Sequence, residues 1–345
     1  MSKYCKNCVM DDTAEEIFFD YNGVCNFCNR AYQSLLEARE ESKNLYSKVE
    51  QIKKDGEGKD YDCLIGLSGG VDSSTALHEA VKIGLRPFCF SVDNGWNTKV
   101  SDENILKIVE SLRVPFYRET IDLEKFNKLQ QAFIRAGLKN IEIPTDHIIM
   151  ATTYALAKEY GIKWIISGGN VVGESIMPES WGYQARDVEH IKDVYRSVWG
   201  EELTGLPLCS TWLWNDYKHT YGIETFYLLD YLDYNPIKAK QLLLDKYNWV
   251  DYGNKHEESE FTKWFQNSYL PEKFGIDKRK AHLSSLIVSK VISRREALKI
   301  LKEKPEYNKK LFKHLLTYPK HEHSDFIQED WYPKIAELIK NENIR

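Results

Sequence analysis

Seven consecutive residues, Ser68 to Ser74 (SGGVDSS), combine two glycines, three hydroxyl side chains and one carboxylate. Glycine lets backbone N–H groups come close to an anion, and a helix start adds free N–H groups and the positive end of the helix dipole. The stretch has no lysine of the kind found in a Walker phosphate loop. These residue types favour a pyrophosphate group held by amides and hydroxyls, with Asp72 available for a metal ion or for helix capping.

The flanking residues predict a strand before this loop and a helix after it. Residues 61–67 (YDCLIGL) form a short, mostly apolar run, and Ala76, Leu77, Ala80 and Val81 recur at the spacing of one helix face. A strand followed by a glycine-rich turn and a helix is the setting in which such a loop binds phosphate. The alternative, an ordinary turn between a strand and a helix, accounts less well for the complete motif.

Comparable turns follow two other predicted strands. Residues 86–92 (RPFCFSV) precede the turn 93–98 (DNGWNT), and residues 163–167 (KWIIS) precede the turn 168–175 (GGNVVGES). Ligands bind at the carboxyl ends of the strands in open α/β sheets, so we expect both turns to lie near the ligand of the first loop. For the side chains of the turn after residue 92, a purely structural turn is an equally good interpretation.

Two further predicted strands, at 115–121 and 225–232, alternate with helical patterns. This alternation predicts an α/β fold with a doubly wound, mainly parallel, five-stranded sheet. The expected organisation is a four-cysteine knuckle at 1–30, a linker helix at 31–59, the sheet domain at 60–252 and a helical C-terminal substrate or partner region at 253–345. The long segment 176–218, rich in Trp, Gly and charged residues, is the best candidate for substrate contacts or a lid.

Four cysteines near the start of the chain have the spacing of a metal knuckle. Cys5 and Cys8 form one Cys-x-x-Cys pair, and Cys25 and Cys28 form a second one sixteen residues later. An iron–sulfur cluster or a redox pair are alternatives, but a redox pair does not require a second, matching pair. We therefore expect a structural zinc ion with four thiolate ligands and no open position for catalysis.

Composition limits the class of protein further. The chain has 345 residues and a net charge of −5, so no overall basic field attracts nucleic acid. Its first residues lack a cationic region followed by an apolar core, and no uncharged apolar stretch approaches the roughly 20 residues of a membrane helix. Seven cysteines without a secretory signal indicate a reducing compartment. We expect a cytoplasmic protein without a membrane span and without a nucleic-acid partner.

Further candidate binding residues each have a structural alternative. The stretch 144–147 (PTDH) opens a predicted helix, in which Thr145 or Asp146 would act as the cap or His147 would face the site. The cation-rich stretch 273–283 (KFGIDKRKAHL) would pair with phosphate, pyrophosphate or a sugar carboxylate, or would form a solvated helix start.

The motif SGGVDSS resembles the pyrophosphate (PP) loop of the ATP pyrophosphatases, which share the adenine nucleotide alpha hydrolase-like fold and include NAD, asparagine and GMP synthetases. In order along the chain, the cysteine knuckle, SGGVDSS, SVDNGW, PTDH, GGNVVGES, the Lys255-His256-x-Glu258-Ser259 stretch and KFGIDKRKAHLS are similar to one family in particular. This is the N-acetyl sugar amidotransferase family of bacterial surface-polysaccharide (lipopolysaccharide) and flagellin-glycan pathways. The resemblance covers nearly the whole chain.

The resemblance implies roles for individual residues. The ATP-binding residues would be Ser68, Gly69, Gly70, Val71, Asp72, Ser73, Ser74, Ser91, Val92, Asp93, Gly168 and Gly169. The catalytic residues would be Asp72, Ser73 and Glu174, of which Asp72 and Glu174 would be magnesium ligands. The residues that contact substrate or phosphate would be Asn170, Lys255, His256, Lys273 and Arg279.

The implied reaction converts the acetamido group of a sugar, expected to be nucleotide-linked, into an acetamidino group. ATP would adenylate the amide oxygen with release of pyrophosphate, and ammonia would then displace AMP. Ammonia is mostly ammonium at neutral pH, and Cys63, Cys89 and Cys209 do not lie in the tight glycine-flanked turn of a triad glutaminase. We therefore expect a separate glutaminase to supply ammonia.

The rival interpretation is a tRNA-modifying sulfurtransferase of the same superfamily, because several relatives carry N-terminal zinc knuckles. Such an enzyme usually needs further reactive or cluster-binding cysteines near the site. Only three cysteines remain outside the knuckle, and two of them lie within apolar predicted strands. The acidic charge balance also disfavours tRNA. A non-enzymatic zinc scaffold would have no use for an intact ATP loop.

Overall fold

Five parallel strands form one sheet at the centre of the protein. The structure, a computed structural model, describes residues 4–305. The strands are β1 (Cys63–Gly66), β2 (Pro87–Asp93), β3 (Phe116–Thr120), β4 (Trp164–Ile166) and β5 (Glu224–Phe226). Their order is β3-β2-β1-β4-β5, and each neighbouring pair is parallel. The predicted doubly wound sheet is thus confirmed, and its order reverses between β1 and β4.

Helices connect the strands and extend the fold at both chain ends. In chain order the α-helices of the described residues are α1 (Asn26–Glu41), α2 (Leu45–Asp55), α3 (Val71–Lys82), α4 (Lys99–Leu112), α5 (Leu123–Arg135), α6 (Ile143–Glu159), α7 (Val171–Glu174), α8 (Val188–Trp199), α9 (Thr211–His219), α10 (Pro236–Tyr247), α11 (Glu260–Trp264), α12 (Leu270–Phe274), α13 (Arg279–Val288) and α14 (Arg294–Ile300). A π-helical turn, Phe265–Tyr269, joins α11 to α12. The predicted C-terminal helical region is confirmed up to residue 305, and the rest of it lies outside the described residues.

Two cores lie on opposite faces of the sheet. Leu64 and Phe90 belong to the core that contains α5 and α6, whereas Ile65 and Cys89 belong to the core that contains α3 and α10. Successive side chains of a strand point to opposite faces. Because helices bury both faces, the central strands are continuous apolar runs rather than alternating ones, and this is the pattern that made β1 and β2 recognisable in the sequence.

Two predicted elements differ in extent. In place of one linker helix, α1 and α2 are separated by the 3-10 turn Ser42–Asn44, where the Ser42 hydroxyl donates to the carbonyl of Arg39 at 2.8 Å. The predicted strand 225–232 ends at Phe226 and continues as the 3-10 turn Leu228–Tyr231. In this turn the Asp230 carboxylate accepts the backbone N–H of Val171 at 2.7 Å, which ties the turn to the start of α7.

Both interpretations of the 144–147 stretch are wrong. Pro144 occupies the first turn of α6, so the helix begins one residue earlier and Glu142 is its N-cap residue. Thr145 and Asp146 therefore lie within the helix. The His147 ring is buried between the carbonyl of Ala185, at 2.6 Å from Nδ1, and a backbone N–H that donates to Nε2. It is a core histidine.

The cysteine-containing segment packs against the C-terminal helices. The N–H of Val9 donates to the hydroxyl of Ser284 on α13 at 3.2 Å. Arg294 of α14 donates to the carbonyls of Cys8 and Cys5 at 2.9 and 3.2 Å. The two ends of the described chain therefore support each other. Within residues 4–305, no helix has both the length and the apolar character that crossing a membrane requires.

Candidate functional site

The loop at residues 68–70 has the strand–turn–helix setting that the sequence predicts. It follows β1, and α3 begins at Val71 with Gly70 as an extended N-cap residue that provides no side-chain cap. Gly69 has a φ of 76°, and a Cβ atom there would overlap the carbonyl of Ser101. Only glycine fits this backbone without strain. The Val71 N–H donates to the Tyr252 hydroxyl at 3.2 Å, and the following N–H groups of the first turn of α3 lie at its positive dipole end, at the carboxyl edge of the sheet.

A second glycine turn, after β4, packs directly on the first. A Cβ atom on Gly168 would lie 2.8 Å from the backbone nitrogen and 2.9 Å from the Cα of Ser73. The N–H of Gly169 is bound by the Ser167 hydroxyl at 3.0 Å, and its Cα faces the ring of Tyr227. Because β1 and β4 are the neighbours between which the strand order reverses, both turns line the crevice where such sheets bind ligands.

The two predicted catalytic carboxylates lie close together, and a lysine from a distant segment forms an ion pair with both of them. The Lys255 ammonium lies 2.5 Å from the Asp72 carboxylate and 2.9 Å from that of Glu174. The hydroxyl of Tyr234 also donates to Asp72. Although burial disfavours its charge, the two carboxylates raise the pKa of Lys255 above its ordinary value. The structure therefore brings Asp72, Glu174 and Lys255 into one cluster.

This arrangement meets the requirement for a small divalent cation. Magnesium prefers carboxylate oxygens from one or two side chains, together with water and substrate phosphates. Asp72 and Glu174 already share a single cationic partner, so their oxygens converge on a common point. The donor set fits magnesium, provided that the Lys255 ammonium leaves that point.

Glu258 lies beside the phosphate loop and was given no role from the sequence. One carboxylate oxygen accepts the hydroxyl of Ser68 at 3.3 Å and would lie 2.9 Å from a Cβ on Gly70, while the other is buried without a hydrogen-bond partner within residues 4–305. Burial is the main cause that raises the pKa of Glu258 to about 7 from its ordinary 4.5. The sequence feature that could have indicated a role for Glu258 is its position within the Lys255-to-Ser259 stretch.

The predicted ATP-binding residues at the end of β2 have different environments. Ser91 and Val92 are buried, and the Ser91 hydroxyl has no hydrogen-bond partner among the described residues. The Ser74 hydroxyl on α3 is buried and unpartnered in the same way. By contrast, the Asp93 carboxylate accepts the N–H of Gly95 at 3.1 Å, so it stabilises the turn. Two orphaned hydroxyls thus lie near the strand ends where a nucleotide is expected.

Four of the five predicted substrate residues line one cavity of about 790 Å³. Its wall includes Asp72, Asn170, Lys255, His256, Arg279 and His282. Asn170 also caps α7, because its side chain accepts the N–H of Gly173 at 2.8 Å. Arg279 forks onto Asp277 at 2.7 to 3.2 Å. Lys273 is not part of this wall: it is exposed, with its ammonium over the rings of Tyr269 and Phe274.

The four predicted zinc ligands form a buried cluster. The Sγ atoms of Cys5, Cys8, Cys25 and Cys28 all lie within 4.8 Å of one another. Backbone N–H groups of Cys8 and Cys25 donate to the Cys5 sulfur at 3.4 and 3.3 Å. Such N–H donors favour thiolates over thiols, so the geometry and the donor set both fit a tetrahedral zinc ion.

Comparison with known families gives one match, at the C-terminal end. Residues 258–343 match the family described as "LPS biosynthesis protein WbpG-like, C-terminal domain", and residues 306–343 of this match lie outside the described part of the structure. The match confirms the resemblance to a surface-polysaccharide family that the sequence motifs indicate. Among curated proteins, an uncharacterized protein of Methanocaldococcus jannaschii is 29% identical over 174 residues, which are 48% of this chain and 58% of that protein.

Solved structures with some similarity include three synthetases. An NMN synthetase from Francisella tularensis is 21% identical, with a TM-score of 0.28, over 42% of this chain and 56% of its own. An NH3-dependent NAD synthetase from Campylobacter jejuni is 18% identical, with a TM-score of 0.29, over 38% of this chain and 57% of its own. A glutamine-dependent NAD+ synthetase from Acinetobacter baumannii is 14% identical, with a TM-score of 0.31, over 83% of this chain and 47% of its own. The TM-scores are low, so the fold class rests on the strand order.

Proposed function

Starting from the WbpG-like domain at residues 258–343, we propose that the protein is an ATP-dependent amidotransferase that makes acetamidino sugars. One observation carries the proposal: the WbpG-like segment completes the phosphate-loop site. Glu258, its first matched residue, accepts a hydrogen bond from Ser68 of the loop, and Arg279 and His282 share a cavity with Asp72. A polysaccharide-family segment and an ATP-type loop therefore face the same space.

The chemistry follows from the poor reactivity of an amide. Its nitrogen donates electrons into the carbonyl, so ammonia does not attack it directly. In the proposed reaction the acetamido oxygen attacks the α-phosphorus of ATP, the bond to the β-phosphate oxygen breaks, and pyrophosphate leaves. Ammonia then adds to the imidate carbon, and the carbon–oxygen bond breaks with AMP as leaving group. The product is an amidinium, and no enzyme nucleophile is required.

The residues of this chain act mainly by binding and orientation. The N–H groups of Asp72 and Ser73 in the first turn of α3, together with the Ser73 hydroxyl, would hold the pyrophosphate as its charge develops. Asp72 and Glu174 would hold magnesium, which supplies charge neutralisation when it is bound. Lys255, displaced from these carboxylates, would then contact phosphate oxygens.

The cysteines outside the knuckle support this proposal over sulfur transfer. Cys63 and Cys89 lie within buried strands, and burial raises the pKa of both thiols. Burial also raises the pKa of the Cys209 thiol to about 11. A protonated thiol is a poor nucleophile. The same observation supports an external glutaminase, because glutamine hydrolysis by a cysteine enzyme needs a thiolate.

The test is pyrophosphate release with alternative acceptors. The purified protein, ATP, magnesium and ammonium chloride are combined with a panel of UDP- and CMP-linked N-acetyl sugars or with bulk tRNA. We expect AMP and pyrophosphate in equal amounts with at least one acetamido sugar, and none with the matching sugar that lacks an acetamido group. Pyrophosphate release that depends on tRNA and a sulfur donor would favour the sulfurtransferase.

A further inference from the structure

Two histidines face each other on the wall of the cavity that also contains Asp72. His282 lies in the first turn of α13, and His256 lies in the loop before α11. Their ring centroids are 5.1 Å apart. Both ring nitrogens of His282 are buried, and neither forms a hydrogen bond of good geometry among the described residues, although the backbone of Gly173 interacts with the ring. Buried polar groups without partners destabilise a protein, so this ring requires an explanation.

The backbone of His256 carries a second unfavourable feature. Its φ is 67°, in the left-handed region that residues other than glycine seldom adopt. Non-glycine residues in this region are concentrated at functional sites, where the surrounding structure holds them. The neighbouring Lys255 is anchored between Asp72 and Glu174. The strained residue is therefore next in sequence to the charged cluster beside the phosphate loop.

Both imidazoles are neutral at physiological pH. Burial, with smaller contributions from Lys255 and Lys278, lowers the pKa of His282 to about 3. Burial also lowers the pKa of His256 well below its ordinary value. A neutral imidazole has one N–H donor and one nitrogen acceptor. The pair therefore offers hydrogen bonds of both kinds without a charge.

Lys255 and Arg279, two of the cations on this wall, are already paired. Lys255 binds two carboxylates, and Arg279 forks onto Asp277 and donates to the carbonyl of Glu303. Among the described residues, the hydrogen-bonding capacity that remains on this wall includes that of the His282 ring. It suits a neutral ligand whose groups both donate and accept, such as hydroxyls and an acetamide. The cavity, at about 790 Å³, is large enough for a nucleotide-linked sugar.

We propose that His282 and His256 bind the hydroxyl and acetamido groups of the sugar substrate, and that His282 lacks a well-formed hydrogen bond among the described residues because its partner is this ligand. The proposal rests on the proposed function for the identity of the ligand. The site lies in the cavity that contains Asp72, so the acetamido oxygen would approach the nucleotide bound at the loop. A buried water that bridges His282 to the protein is the competing explanation.

The first test compares stability without any ligand. His282→Leu removes two nitrogens that lack well-formed hydrogen bonds among the described residues, at similar volume, so its melting temperature should equal that of the wild type or exceed it by about 2–4 °C. The matched control is His147→Leu, in which a buried histidine loses a bond from each ring nitrogen. This control should melt several degrees lower. A His282→Leu variant as destabilised as the control would show a structural role and overturn the proposal.

The second test measures binding by calorimetry with UDP- and CMP-linked N-acetyl sugars. For the sugar that wild type binds best, His282→Leu should weaken binding at least about tenfold, and His282→Gln, which keeps a donor and an acceptor, should recover part of it. Binding of an ATP analogue should be unchanged. Sugar binding that depends on His282 without AMP formation would refute only the proposed function. AMP formation with an unchanged KM for the sugar in His282→Leu would refute only the present proposal.

Discussion

Replacing Glu258 with glutamine is expected to stabilise the protein above neutral pH. The Glu258 carboxylate beside the phosphate loop has one oxygen bound to Ser68, and the other is buried without a hydrogen-bond partner in the described part of the chain. Burial, with a smaller effect of Asp72, favours its protonated form and raises its pKa to about 7. Glutamine has nearly the same shape and carries no charge to desolvate. The variant should therefore avoid the loss of folding stability that occurs in the wild type when this buried carboxylate ionises.

The sign and size of the effect follow from the two pKa values. The folded pKa of Glu258, about 7, exceeds its ordinary value of 4.5, so the folded state binds the proton more tightly than the unfolded state. Stability is highest below about pH 4.5 and falls as pH rises through 7. At about 1.4 kcal/mol for each unit of pKa, the fall amounts to about 3 kcal/mol. The folding stability of Glu258→Gln should not show this decrease with rising pH.

Urea unfolding at a series of pH values from 5 to 8 measures the effect directly. The stability difference between Glu258→Gln and wild type should rise by about 2.5 kcal/mol in favour of the variant across this range, because part of the fall already lies below pH 5. The matched control is Glu260→Gln, in the first turn of α11. If the difference between Glu258→Gln and wild type were the same at both ends of the range, the inferred burial of this charge would be wrong.

Three further changes test other parts of the site. Asp72→Ala should abolish pyrophosphate release while circular dichroism remains native, and normal turnover would remove Asp72 from the catalytic group. Cys25→Ser should lower both the zinc content, measured by atomic absorption, and the melting temperature. The reason is that four buried thiolates hold the knuckle against α13 and α14. A zinc-free variant with the melting temperature of the wild type would contradict this. Gly168→Ala should weaken ATP binding at least about tenfold, since its Cβ would lie 2.8 Å from the Ser73 nitrogen, and unchanged affinity would show that the two turns need not touch.

Local patterns in the sequence were enough to predict the phosphate loop, the strands beside it and the cysteine cluster. Each depends on residues close together in the chain: Gly69 needs its left-handed backbone in any such turn, and paired cysteines need only a short knuckle. The doubly wound parallel sheet followed from the alternation of strands with helices, because parallel strands need helical crossovers between them. These features hold whatever packs around them.

Contacts between residues that are far apart in the sequence could not be predicted from such local patterns. Lys255 and Asp72 are 183 residues apart, and only tertiary packing brings the lysine between the two carboxylates. Packing likewise buries His282 in the cavity wall without a well-formed hydrogen bond among the described residues, and it sets Lys273 over two aromatic rings, although both lie in the same cation-rich stretch. Local charge density did not distinguish a residue that faces the cavity from one that faces solvent.

The ammonia requirement gives a simple biochemical prediction. The isolated chain should turn over with ammonium at raised pH, where more of it is free ammonia, and should not turn over with glutamine alone. Addition of a separate glutaminase should restore glutamine-dependent turnover. Glutamine-dependent AMP formation by the isolated chain would show that a glutaminase site exists within it, in conflict with the raised pKa of its buried thiols.

The central claim is that ATP activates the acetamido oxygen of a sugar. A nucleotide-linked acetamido sugar that carries heavy oxygen in its acetyl carbonyl tests this most directly, because the oxygen that attacks phosphorus leaves with AMP. After turnover with ATP and ammonium, mass spectrometry should find the label in the phosphate of AMP, in an amount equal to the acetamidino product. Label that stays in the sugar or passes to water, with unlabelled AMP, would contradict the mechanism.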